Sequence, residues 1–238
     1  NFESLSNNPN SLQNSSVTAI TKDKDGKLWV GMDGGGIDII NEKTKKITHI
    51  NTKTNTSYSG LTTDYIETIF IDSDENVWAG SWNGGIYFLK KASKTFINYN
   101  SDNTNGQLNS NIILSFDQDS EGTIWISTVN GGLNSYNPKT KKFRHYNSAP
   151  FDRFRLNEAF IWKVLVDKHD NIWIGTTSGL YRMKKNKNKT FSIESISDKN
   201  LKGFDGNKIP AYHILSLCEG SNNSIWIGTR GAGLCQYN

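Results

Sequence analysis

Short apolar runs alternate with polar turns along the whole chain, and the same order of runs returns five times. Each unit opens on an apolar segment: Val17 to Ile20, Ile66 to Phe70, Ile113 to Phe116, Ile161 to Val166 and Ile214 to Leu217. A polar turn follows, begun by Asp23, Asp72, Asp119 and Asp167 in four units and by Gly220 in the fifth. Asp, Asn and Gly suit such turns because their side chains bond the local backbone or tolerate positive φ. The second run carries a tryptophan between aliphatic or small residues: Leu28-Trp29-Val30, Val77-Trp78-Ala79, Ile124-Trp125-Ile126, Ile172-Trp173-Ile174 and Ile225-Trp226-Ile227. A glycine-rich turn then leads to a third run starting at Ile37, Ile86, Leu133, Leu180 and Leu234. In four units a Lys/Asn/Thr hairpin leads on to a fourth: Lys46 to Ile50, Thr95 to Tyr99, Lys142 to Tyr146 and Thr190 to Ile193. Short, evenly spaced runs bounded by turn residues read as strands, so each unit is a four-stranded meander.

The tryptophans stand 49, 47, 48 and 53 residues apart. A fixed period of about 40–50 residues marks a radial repeat, most often a β-propeller. The expected fold is all-β: a β-propeller of four-stranded antiparallel blades, in one domain over 1–238, with blades at about 16–50, 65–99, 112–146, 160–195 and 213–238. One such sheet is too small to stand alone, and the repeated tryptophan supplies a large contact to a neighbour. Asn1-Phe2-Glu3-Ser4-Leu5 matches a fourth strand, so an N-terminal strand at 1–6 can complete the last sheet and close a five-bladed ring. The competing arrangement is a segment of a ring of about seven blades. Tryptophans and glycines that recur in every blade are structural, because a binding site should be unique.

Composition narrows the function. Only 35% of residues are hydrophobic, yet 11% are Trp, Tyr or Phe, so aromatics fill volume that aliphatics would otherwise fill. The net charge of +4 comes from 27 basic and 23 acidic residues that are interspersed, which argues against a nucleic-acid surface. The densest basic stretch, Lys184 to Lys189, falls at a hairpin tip and reads as a solvated loop. No apolar run approaches the roughly 18–20 residues of a membrane span, and no direct membrane insertion or signal peptide is expected. Cys218 and Cys235 fall on the first and third strands of the fifth unit. Strands two apart lie about 9.6 Å from each other, and a disulfide needs Cα atoms within about 7 Å, so two free, buried thiols are expected.

No catalytic set is present. His49, His145, His169 and His213 fall in different repeats and strand positions without metal-ligand spacing. Asp23-Lys24-Asp25-Gly26 lacks the later Glu of a calcium loop. No metal, cofactor or enzymatic activity is expected of this domain.

The segment Asp119-Ser120-Glu121-Gly122-Thr123-Ile124-Trp125-Ile126-Ser127-Thr128-Val129-Asn130-Gly131-Gly132-Leu133-Asn134-Ser135-Tyr136-Asn137-Pro138-Lys139-Thr140-Lys141-Lys142-Phe143 resembles the two-component regulator propeller repeat. The linker Asn8 to Val17 resembles that family's inter-blade segment. Departures are local: Ser127 for Gly, a shorter fourth turn, and Gly220 for Asp. The resemblance implies the periplasmic sensor region of a hybrid two-component histidine kinase of Bacteroidetes. There, propellers typically precede an immunoglobulin-like domain, one membrane span, a kinase and a response regulator. It implies an oligosaccharide ligand, control of polysaccharide-utilisation genes, contacts with a neighbouring propeller and an immunoglobulin-like domain, homodimerisation through the parent, and part of a seven-bladed ring. The D-x-x-G-x-x-W element also resembles the Asp-box of sialidase propellers, but no ordered arginine, tyrosine and acid set accompanies it.

Function should show where the repeat breaks. In the glycine turn the variable slot holds Asp33, Trp82, Val129, Thr177 and Arg230. Trp82 could stack on a sugar ring, while Asp33, Asn83, Asn130 and Arg230 could bond hydroxyls or an acidic sugar. The loops leading into the blades add Tyr65, Phe160, Trp162 and Tyr212. Trp162 stands where other units have Thr18, Glu67, Leu114 and Leu215, and Lys163 replaces small residues beside it. The stretch Phe151, Arg153, Phe154 and Arg155 could contact a partner domain or an anionic glycan. A structural or dimerisation module that binds nothing itself is the alternative reading.

Overall fold

A computed structural model describes residues 8, 10–53, 57–105, 107–146, 160–196, 202–203 and 213–237. These form five four-stranded antiparallel sheets. The first contains β1 (Val17–Lys22), β2 (Lys27–Met32), β3 (Gly36–Asn41) and β4 (Ile47–Ile50) in that order. The second contains β5 (Ile66–Ile71), β6 (Val77–Ser81), β7 (Ile86–Leu89) and β8 (Ile97–Tyr99). The third contains β9 (Ile113–Gln118), β10 (Ile124–Thr128), β11 (Leu133–Asn137) and β12 (Lys142–His145). The fourth contains β13 (Ile161–Val166), β14 (Ile172–Thr176), β15 (Gly179–Lys185) and β16 (Phe191–Ile196). In the fifth, β18 (Ile214–Glu219), β19 (Ile225–Thr229) and β20 (Leu234–Tyr237) are joined at the outer edge by β17 (Lys202–Gly203). The expected N-terminal strand at 1–6 lies outside the described residues.

The chain divides into two compact units, Asn1–Ser115 and Phe116–Asn238. In the first, Trp29 packs with Ile66, Ile69, Val77 and Ala79 of the second sheet. In the second, Trp125 packs with Ile161, Val164 and Ile172 of the fourth sheet, and Trp173 with Ile214, Leu217 and Ile225 of the fifth. Each of these tryptophans thus fills the space toward the sheet that follows or lies one step along, burying surface worth several kcal/mol on side-chain burial alone.

A second contact fixes each indole. The turn aspartate accepts the indole Nε1–H six residues on: Asp23 from Trp29 at 3.0 Å, Asp72 from Trp78 at 2.9 Å, Asp119 from Trp125 at 3.0 Å and Asp167 from Trp173 at 2.8 Å. The other carboxylate oxygen accepts the backbone N–H four residues on, at 2.8 to 2.9 Å. One side chain therefore closes the hairpin and satisfies a buried N–H, as burial requires. At Asp167 burial works to raise the pKa, but the donors from Trp173, Asn171 and His169 outweigh it and hold the carboxyl below its ordinary value. In the fifth sheet Gly220 offers no carboxylate, the turn becomes a short 3-10 segment over Ser221–Asn223, and Trp226 is half-buried.

The two cysteines are free, with one correction: Cys235 is buried but Cys218 is exposed. Cys218 pairs across the ladder with Trp226 and Cys235 with Ile227. Trp226 and Ile227 are consecutive and point to opposite faces of the sheet, so the thiols do too.

Candidate functional site

The glycine turns and the loops leading into the blades meet at one end of each sheet, and hydrogen bonds hold them together. The slot residue of the turn donates its N–H to the carbonyl just before its own first strand. This occurs in Asp33 to Ser16 (2.9 Å), Trp82 to Tyr65 (3.2 Å), Thr177 to Phe160 (3.2 Å) and Arg230 to His213 (2.9 Å). The turn also docks on the next blade's lead-in loop: Gly34 and Gly36 donate to the Asp64 carbonyl at 3.0 and 2.8 Å. Asp64 is itself pinned, since its carboxylate accepts the Thr52 N–H at 2.7 Å and its hydroxyl at 2.8 Å. Gly36 has φ +73, and a Cβ there would sit 2.3 Å from the Ile50 carbonyl oxygen, so only glycine permits this approach.

In the first unit these contacts gather three of the expected residues. Asp33 forms a bridge with Tyr65, and Tyr65 accepts from Trp82. Both rings are open to solvent, Tyr65 at 54% and Trp82 at 46%, in a chain whose other tryptophans are buried or half-buried. Asn83, next to Trp82, is exposed as well.

Glu67 joins them and was not singled out from the sequence. The ladder of β5 with β6 shifts register between Ile66 and Thr68, which places Glu67 in a bulge. The same shift occurs at Thr18, Trp162 and Leu215. A bulge re-aims the side chain of its extra residue. Burial raises the Glu67 pKa and the nearby Asp33 charge raises it further. Neither Asp33 nor Glu67 has an ion pair or a side-chain hydrogen bond among the described residues. The signal was in the aligned column Thr18, Glu67, Leu114, Trp162, Leu215, where Glu67 alone is charged. Two aromatic faces beside two uncommitted carboxylates can stack on a ring and accept from its hydroxyls.

In the second unit the expected residues serve differently. Trp162 is half-buried, stacks on Phe160 at 5.9 Å between centroids, and leaves its Nε1–H without an acceptor. Burial holds the Asp117 carboxyl above its ordinary value, opposed first by the Val166 N–H that it accepts at 2.7 Å, then by the Gln118 N–H and the charge of Lys163. Asn130 is exposed with φ +56, a turn-forming conformation. Arg230 is exposed, and Val129 is buried and belongs to the core. Tyr212, Phe151, Arg153, Phe154 and Arg155 lie outside the described residues. Among the described residues no group of three or more His, Cys, Asp or Glu side chains could hold a metal ion.

The model of the two-component regulator propeller family matches residues 11–34, 107–130 and 208–231, each of which contains a Trp strand and ends in the glycine turn after it. These three segments are similar to the two-component regulator propeller repeat. The chain is 30% identical over 92 residues to Histidine kinase P4 of Formosa agariphila, covering 38% of this chain and 7% of that one. The fold is similar to the extracellular domains of two putative hybrid two-component systems of B. thetaiotaomicron. One has a TM-score of 0.69 at 22% identity, covering 99% of this chain and 31% of that one. The other has a TM-score of 0.65 at 20% identity, covering 99% and 35%. Virginiamycin B lyase from Staphylococcus aureus has the same fold at TM-score 0.63 and 16% identity, covering 94% of this chain and 70% of that one. The chain spans about a third of the extracellular domains that it matches. No helix among the described residues is long and apolar enough to cross a membrane.

Proposed function

We propose that this chain is part of the periplasmic sensor region of a hybrid two-component histidine kinase, recognises an oligosaccharide and thereby controls polysaccharide utilisation. The observation that carries the reading is the exposed Tyr65–Trp82 pair beside Asp33 and Glu67, a departure from the repeat set on a hydrogen-bonded frame. Aromatic faces with convergent polar groups suit a sugar ring. The domain itself has no catalytic role in this reading, and phosphotransfer belongs to the rest of the parent.

The test is a thermal-shift screen of the parent's whole extracellular region against an oligosaccharide panel. A sugar that raises the midpoint, with the rise lost in Trp82→Ala, supports the reading. A panel without any shift, or a shift untouched in Trp82→Ala, overturns it.

A further inference from the structure

The opposite strand end of the same unit holds a cleft of about 290 Å³, at the lower limit of small-molecule sites of about 300–1,000 Å³. One wall is the turn between β1 and β2, the other the hairpin between β7 and β8. Its floor is apolar, with Trp29 and Tyr58 meeting edge to face at 6.3 Å, and Val77 and Leu89 beside them. Its rim is basic. Five lysines, Lys24, Lys27, Lys90, Lys91 and Lys94, face three carboxylates, Asp23, Asp25 and Glu75.

The carboxylates are all committed. Asp23 holds the Trp29 indole and the Lys27 N–H, Asp25 pairs with Lys27 at 3.3 Å, and Glu75 pairs with Lys24 at 3.2 Å and Lys91 at 3.0 Å. Lys90 and Lys94 have no carboxylate partner among the described residues. The Lys94 ammonium stands 5.8 Å from the centre of the Tyr58 ring, held at the mouth by a cation–π contact. The cleft thus joins a ring-sized apolar floor to two uncompensated positive charges at its edge.

We propose that this cleft binds a single-ring organic acid, its ring on Tyr58 and the aliphatic floor and its carboxylate between Lys90 and Lys94. A bare inorganic anion would leave the floor unused, and a neutral ring would leave the lysines unused. The site is separate from the Tyr65–Trp82 edge, since the β5–β6 and β6–β7 turns lie at opposite ends of the sheet.

Calorimetric titration of the 238-residue chain tests this with three probes: 4-hydroxybenzoate, the matched neutral 4-hydroxybenzamide, and inorganic sulfate. The benzoate should bind more tightly than either. The double variant Lys90→Ala/Lys94→Ala should weaken it about fivefold, from two exposed charge contacts. Both lysines are exposed, so the variant should keep the wild-type melting temperature. The variant Lys43→Ala/Lys45→Ala, in the β3–β4 hairpin, controls for general loss of positive charge and should bind as wild type. Equal binding of benzoate and benzamide, sulfate binding as tight as benzoate, no binding of any probe, or unchanged affinity in the Lys90/Lys94 variant would each overturn the proposal.

Discussion

Replacing Asp72 by alanine should cost the first unit about 2–4 kcal/mol. Asp72 accepts the Trp78 Nε1–H at 2.9 Å, the Asn76 N–H at 2.8 Å, the Asn76 side-chain amide at 3.0 Å and the Asp74 N–H at 3.0 Å. Asp74 and Asn76 reach solvent and can rehydrate, so their loss contributes little. Trp78 is only 1% exposed, and its buried N–H would lose the carboxylate that it bonds at 2.9 Å. A hydrogen bond to a charged group contributes about 1.5–3 kcal/mol, and an orphaned buried donor costs about 1–3 kcal/mol. A double-mutant cycle with Trp78→Phe, which removes the donor and keeps most of the ring, isolates the pair. Urea denaturation followed by circular dichroism supplies the four stabilities. Coupling of about 1.5–3 kcal/mol is expected. Costs that add to within about 0.5 kcal/mol, the ordinary scatter for independent sites, would refute the assignment of the aspartate to the indole. The fifth sheet is a natural control: with Gly220 in the aspartate's place, Trp226→Phe should cost less than Trp78→Phe.

Gly26→Ala and Gly85→Ala separate backbone strain from collision, because both glycines have positive φ (+82 and +78). A Cβ at Gly26 meets nothing closer than 3.8 Å, whereas at Gly85 it sits 2.3 Å from the Tyr99 carbonyl oxygen. Unfolding free energies from urea denaturation should fall modestly for Gly26→Ala, by about 1–2 kcal/mol, and clearly further for Gly85→Ala. Glu67 has its folded-state pKa raised from 4.5 by burial and by Asp33, so its stabilising contribution is full below 4.5 and is lost as pH rises through the folded value. The melting temperature of Glu67→Gln relative to wild type should therefore rise with pH across that window, and a flat difference would count against the pairing. Under native conditions one thiol, Cys218, should react with a maleimide, and Cys235, buried with its thiol pKa raised by that burial, should react only after denaturation.

The strand order was legible because alternating runs and turn residues repeat five times, and each repeat checks the others. Trp29, Trp125 and Trp173 sit in inter-sheet cores as their recurrence implied. The aspartates read as turn formers, which they are, but their grip on the indole appears only once the hairpin folds position i onto position i+6. The bulge at Glu67 was hidden for a related reason: an extra residue in one strand leaves the apolar count intact and shifts only which face the next side chain takes. Trp82 and Tyr65 were legible as breaks in the repeat, but their adjacency depends on a hydrogen bond between segments 17 residues apart. Cys218 is exposed where its apolar strand implies burial, because the fifth sheet, whose Trp strand is only partly covered, is less buried than its sequence suggests.

Calorimetric titration of wild type, Trp82→Ala and Tyr65→Ala with the same oligosaccharide panel tests the aromatic edge most directly. At least one sugar should bind wild type and lose about tenfold or more in affinity to each variant, as central aromatic anchors do. Binding that survives both substitutions unchanged, or no sugar bound by the wild-type extracellular region, would contradict a sensing site at Tyr65 and Trp82.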